Sequence, residues 1–120
     1  MSKTILVVED SPTETKLILS TLTPKGYNIV TASDGEQALE QAARHHPDVV
    51  LLDIVLPKLN GYQVCRAIKS STESANAKVI MVSSKNQEAD KFWGLKQGAD
   101  EYLTKPIDTD ELLQVVERSL

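Results

Sequence analysis

Val49-Val50-Leu51-Leu52-Asp53 is the stretch on which the reading of the fold turns. Four consecutive apolar residues, two of them β-branched, run directly into a carboxylate. Pro47-Asp48 precedes the run and Leu56-Pro57 follows it, bounds that suit a short strand buried on both faces of a parallel sheet. Asp53 then stands at the carboxyl end of a central strand, where open α/β sheets hold their ligands. An aspartate in that place also has an ordinary structural use, capping the turn that follows.

A second acidic strand end favours a ligand site. Thr4-Ile5-Leu6-Val7-Val8 leads into Glu9-Asp10, again a β-prone apolar run followed by acid and a helix start. If the first and third strands are neighbours, Glu9, Asp10 and Asp53 converge in one crevice. Carboxylates so crowded repel by roughly a few kcal/mol per close pair at an effective dielectric of ~20. A cation offsets that cost, and a small all-oxygen set open to solvent suits Mg2+ better than zinc or copper.

Outward from these two stretches the chain alternates strand and helix. Ser11-Pro12 reads as an N-cap with proline at the first helical position. That helix carries Leu17, Ile18 and Leu22 and stops near Pro24-Lys25-Gly26. A second strand is expected from Tyr27 to Ala32, and Ser33-Asp34-Gly35 turns into a helix with Ala38, Leu39 and Ala42 inward. Asn60-Gly61 opens a third helix whose Val64, Cys65 and Ile68 share a face. A fourth strand covers Lys78 to Ser83, and a fourth helix runs from about Gln87 to Gln97, ending at the C′ glycine Gly98. Phe92 is assigned to the apolar stripe of that helix, with Trp93 at its border, either at the edge of the core or on a partner face. A fifth strand, Glu101 to Thr104, precedes a helix capped by Asp108 or Thr109 and lined by Leu112, Leu113, Val115 and Val116. Five βα units with short connections imply a doubly wound parallel sheet covered on both faces.

Ser83 and Lys105 arrive at the same rim, after the fourth and fifth strands. Taken singly, one is a loop hydroxyl and the other a solvated charge. Together with three carboxylates they form a phosphoryl-handling set. A metal and Lys105 would neutralise the group, Ser83 would donate a hydrogen bond to it, and an aspartate would attack phosphorus.

Composition narrows the alternatives. A chain of 120 residues buries one core, and 41% hydrophobic with 25% charged residues is ordinary for a soluble globular protein. A net charge of −4, with scattered Lys and Arg, argues against nucleic acid as a primary partner. No stretch reaches ~20 apolar residues and no signal-like leader opens the chain, so neither membrane insertion nor export is expected. The single cysteine, Cys65, has no internal partner, which fits a reducing cytoplasm.

Glu9-Asp10, Asp53, Ser83 and Lys105-Pro106, in this order and spacing, resemble the receiver domain (CheY-like) of bacterial two-component response regulators. The likeness covers the chain from Ile5 to the last helix. It implies a flavodoxin-like fold with strand order 2-1-3-4-5 and a single receiver domain over residues 1–120, with no room for an output domain. It further implies that Asp53 accepts a phosphoryl group from a histidine kinase. Asp10 and Asp53 would ligate Mg2+ together with the backbone carbonyl of Val55, with Glu9 acting through water. Lys105 would pair with the phosphoryl oxygens, its bond to Pro106 would be cis, and Ser83 with Tyr102 would form the switch. The readout face is expected on helix 4, strand 5 and helix 5, with Trp93 and Tyr102 as its candidate aromatic contacts.

Ser11-Pro12-Thr13-Glu14, Leu59-Asn60-Gly61-Tyr62-Gln63, Trp93-Gly94 and Gln97-Gly98-Ala99 are similar to PilH-type regulators, stand-alone receivers of type IV pilus, twitching and phototaxis systems. That likeness implies a CheA-type kinase, an unidentified downstream protein, and a monomer or weak dimer that is not an enzyme beyond its own phosphoryl transfer and dephosphorylation. A phosphate sink for a sibling receiver is the alternative. An aspartyl-nucleophile phosphohydrolase would need a second carboxylate two residues after Asp53, where Val55 stands. A flavin or nucleotide binder would need a phosphate-cradling loop in place of Glu9-Asp10-Ser11-Pro12. His45-His46, read as adjacent imidazoles in a loop, lack the spacing of a helical metal pair. Cys65 reads as a buried structural thiol.

Overall fold

The computed structural model describes residues 2–120. Five strands, β1 (Thr4–Val8), β2 (Asn28–Ala32), β3 (Val49–Leu52), β4 (Lys78–Ser83) and β5 (Glu101–Thr104), form one sheet in the order β2-β1-β3-β4-β5. Every neighbouring pair is parallel. The connections carry helices α1 (Pro12–Leu22), α2 (Gly35–His45), α3 (Gly61–Ser70) and α4 (Glu88–Lys96), and α5 (Thr109–Ser119) follows β5. This is the flavodoxin-like order expected from the resemblance.

Side-chain alternation along the strands divides the interior in two. Leu6, Val8, Val50, Leu52, Val79 and Met81 face α2 and α3, meeting Ala38, Ala42, Val64, Cys65 and Ile68. Ile5, Val7, Val49, Leu51, Ile80 and Val82 face α1 and α5, meeting Ile18, Leu22, Leu112, Val115 and Val116. All four β3 residues are buried, each contributing about 1.5–3 kcal/mol of apolar transfer. The register pairs Val8 with Leu52 and Leu52 with Met81, so the carboxyl ends of the three central strands lie side by side.

The helix starts follow their capping chemistry. Ser11 Oγ accepts from Glu14 N and Pro12 occupies the first helical position. Asp34 accepts from Gln37 N, Asn60 and Gln63 close a reciprocal capping box, and Asp108 rather than Thr109 caps α5. Gly98 follows α4 with φ +107°, the left-handed conformation expected of a C′ glycine.

Three expectations need correction. The second strand begins at Asn28, whose N–H pairs with the Lys3 carbonyl, while Tyr27 packs its side chain under the sheet edge. His45 is the last residue of α2, and only His46 leaves the helix, in the left-handed conformation with Nδ1 2.9 Å from the Glu73 carbonyl. The third concerns α4, where Gly94 is the only buried residue and Phe92 and Trp93 are 57% and 52% exposed. A Cβ on Gly94 would meet Met81 Sδ at 3.2 Å and the Tyr102 ring at 3.2 Å. The helix thus approaches the sheet on its glycine, and its aromatic residues, read as a core stripe, lie on the surface. Trp93 is therefore not a core residue.

Candidate functional site

The site lies in the crevice at the carboxyl ends of β1, β3, β4 and β5. Glu9 follows β1 and is buried, its N–H donating to the Ala32 carbonyl and its Oε2 accepting from Ser11 N at 3.1 Å. Asp10 beside it is exposed. Asp53 follows β3 and is buried, tied to the sheet by its N–H to the Val8 carbonyl. Its Oδ1 accepts from the N–H of Ile54 at 2.7 Å and, more weakly, from Val55 at 3.4 Å. Gly61 makes this loop feasible: a Cβ there would stand 2.2 Å from the Asp53 carbonyl oxygen. Only glycine admits that approach.

One oxygen each from Glu9, Asp10 and Asp53 lies within 4.8 Å of the others. At that separation each pair of charges repels by about 3–4 kcal/mol at an effective dielectric of ~20. Lys105, after β5 and joined to Pro106 by a cis bond, reaches into the same cluster. Its Nζ donates to Glu9 Oε1 at 2.6 Å, to Asp53 Oδ2 at 2.9 Å, and to Glu14 Oε2. Burial pulls the ammonium's pKa down, and the three carboxylates more than offset this, holding it above the usual lysine range. Burial pushes the Glu9 carboxyl up to about 7 against its bonds to Lys105 and Ser11, with Glu14 and Asp53 adding to the rise. Four acids around one ammonium leave an excess of negative charge. All-oxygen donors with Asp10 open to solvent fit a hard divalent cation of the magnesium kind.

Ser83 closes the rim from β4 and is fully buried, its Oγ accepting from Lys85 N at 3.3 Å. Tyr102, in β5, is half-buried, and its hydroxyl donates to the Lys85 carbonyl. Burial, with further contributions from nearby groups, pushes that phenol up to about 12, so it stays a neutral donor.

Comparison with known proteins bears on this arrangement. Residues 5–117 match the family model described as the response regulator receiver domain. The chain belongs to that family. PilH of Pseudomonas aeruginosa is 44% identical over 112 residues, 93% of this chain and 93% of that protein. The alkaline phosphatase synthesis transcriptional regulatory protein PhoP of Bacillus subtilis is 41% identical, but this chain spans only 46% of its length. The receiver domain of the sensor histidine kinase PA1611 from Pseudomonas aeruginosa superposes with a TM-score of 0.90 at 31% identity, covering 98% of this chain and 97% of that one. That structure has a magnesium ion coordinated in its active-site cleft.

The receiver thus brings Glu9, Asp10, Asp53 and Lys105 into one cluster, with Ser83 on its rim and Tyr102 one residue removed from it. Val55 is on the adjoining loop and exposed. Trp93 lies away from the cluster on α4. Glu14 belongs to the cluster and was missed by sequence reasoning. Its signal was its place in the first turn of α1, directly after the cap Ser11, which keeps its carboxylate near the strand end that carries Glu9 and Asp10. Cys65 is buried, its thiol pushed up to about 11 by burial, in keeping with a structural role. Among the described residues no helix is long and apolar enough to cross a membrane.

Proposed function

We propose that this receiver accepts a phosphoryl group on Asp53 from a CheA-type histidine kinase and thereby switches its α4, β5 and α5 face to control a partner in pilus-based motility. The observation that carries the reading is the joint placement of Asp53 and Lys105, 2.9 Å apart, beside Glu9 and Asp10. The similarity to PilH supports the pathway, and the magnesium in the PA1611 receiver supports the cofactor. Asp10, Asp53, Glu9 and the backbone carbonyl of Val55 would hold Mg2+, which supplies positive charge against the phosphoryl oxygens.

The protein's own part is positioning. The Ile54 and Val55 amides fix Asp53 Oδ1, leaving Oδ2, the oxygen that faces Lys105, to attack phosphorus. The new O–P bond forms as the donor's P–N bond breaks, and the imidazole departs with that electron pair. Lys105 balances charge on the transferred group, and Ser83 offers it a hydroxyl. On this reading the receiver is a signalling phosphoacceptor whose only chemistry is gaining and losing that group.

Incubation with Mg2+ and acetyl phosphate, followed by intact mass and free phosphate, tests the proposal. A persistent single phosphoryl adduct is expected. Sustained phosphate release with no adduct would instead mark a phosphohydrolase.

A further inference from the structure

Lys105 has no donor to spare. A lysine ammonium carries three N–H bonds. Here one goes to Glu9, one to Asp53 and one to Glu14. A phosphoryl group arriving on Asp53 brings several acceptor oxygens that need this same cation. The N–H on Asp53 Oδ2 passes to that group as Oδ2 becomes its bridging oxygen, but a second N–H for it can come only from Glu9 or Glu14.

The three carboxylates are not equally free to leave. The Glu9 side chain is 3% exposed, and its second oxygen is fixed by the Ser11 amide. Asp53 is the group to be modified, is almost as buried, and is held by Ile54. Glu14 is 34% exposed on the outer turn of α1, and among the described residues its carboxylate has no donor besides Lys105. Swinging outward restores its hydration and breaks a single contact, whereas moving Glu9 would strand a buried charge.

The geometry points to Glu14 as a releasable counter-carboxylate, which occupies the third donor of Lys105 in the unphosphorylated protein and must let go before that ammonium can give a phosphoryl group on Asp53 a second N–H. Phosphorylation then exchanges one anion for another on Lys105. Glu14 is a positioning residue that acts through Lys105 and slows capture of the phosphoryl group. This inference rests on Asp53 being the phosphoacceptor.

The test compares wild type, Glu14→Gln and Glu14→Ala in saturating Mg2+ with acetyl phosphate, following adduct formation by intact mass. Both variants should gain the adduct about three- to fivefold faster, the scale of one partly exposed ion pair. The gain should persist in ~1 M KCl, where a Debye length of ~3 Å removes long-range repulsion of the donor but leaves a contact pair largely intact. A purely structural role would move the melting temperature and leave the rates equal. Equal or slower phosphorylation of Asp53 in both variants would overturn the latch while leaving the acceptor assignment standing. Acceleration that vanishes in high salt would overturn it too, in favour of general repulsion. Wild-type protein that never gains an adduct on Asp53 would remove the acceptor and the latch together.

Discussion

Ser83 and Tyr102 are joined through a single intervening residue. The Lys85 N–H donates to Ser83 Oγ at 3.3 Å, and the Lys85 carbonyl accepts from the Tyr102 hydroxyl. The β4–α4 loop therefore bridges the acidic cluster's rim and the aromatic ring against which Gly94 of α4 is packed. If Ser83 turns toward a phosphoryl group, it releases the Lys85 amide, and the loop that holds Tyr102 is free to shift.

Trp93, the only tryptophan, adjoins Gly94 and should report that shift. In saturating Mg2+, beryllofluoride is expected to change its fluorescence. The change should disappear in Ser83→Ala and be roughly halved in Tyr102→Ala, since one joins the coupling to the site and the other to the helix. A full response in Ser83→Ala would disprove the hydroxyl–aromatic coupling.

Much of this was legible in the sequence, and the exceptions share a cause. Strands β1, β3 and β4 could be read because their apolar runs are continuous and lead into Glu9, Asp53 and Ser83, whose placement at the rim depends only on where a strand stops. Helix α4 was misread because Phe92 and Trp93 look like core residues by composition, while the residue meeting the sheet is Gly94, which carries no hydrophobic signal. Glu14 was overlooked because an acid in a first helical turn is ordinary dipole chemistry. Its pairing with Lys105 spans 91 positions and exists only once β1 and β5 are assembled.

The lifetime of the adduct depends on who can hold a water in line with phosphorus. Val55 is exposed and has no polar group, and the Lys85 side chain, also exposed, has no acceptor. A Val55→Asn, Lys85→Glu double variant should dephosphorylate roughly tenfold faster in the same Mg2+ buffer. Matching decay curves would rule this out.

Gly61→Ala sets a new methyl against the Asp53 carbonyl and 2.7 Å from Ile54 Cα, backbone atoms that cannot rotate away. Urea unfolding should show a loss of about 3 kcal/mol, the upper range for overpacking. Phosphorylation should slow as the loop beside Asp53 is displaced. An unchanged midpoint would show that α3 can move aside freely.

Asp100 lies far from the site and gives a pH signature of its own. Burial raises its carboxyl, but the Lys69 ammonium and the Val79 amide, each at 2.9 Å, outweigh that and hold it below the usual value of 3.8. A depressed acid stabilises the fold above its unfolded pKa and loses that contribution as pH falls through the folded value. Asp100→Asn should therefore cost about 1 kcal/mol at pH 7, after allowance for solvent screening, with the deficit shrinking below about pH 4. A deficit that grew on acidification would contradict the assignment.

Asp53, on the proposed reading, is the residue that carries the phosphoryl group, and Asp53→Asn is the decisive variant. The amide keeps the shape of the side chain and removes one of the crowded charges, so in metal-free buffer the variant should melt at or above the wild-type temperature. With Mg2+ and acetyl phosphate, intact mass and peptide mapping should find one phosphoryl group on wild-type protein, at Asp53, and none on the variant. A folded Asp53→Asn protein that gained phosphate at the wild-type rate would show that another residue is the acceptor.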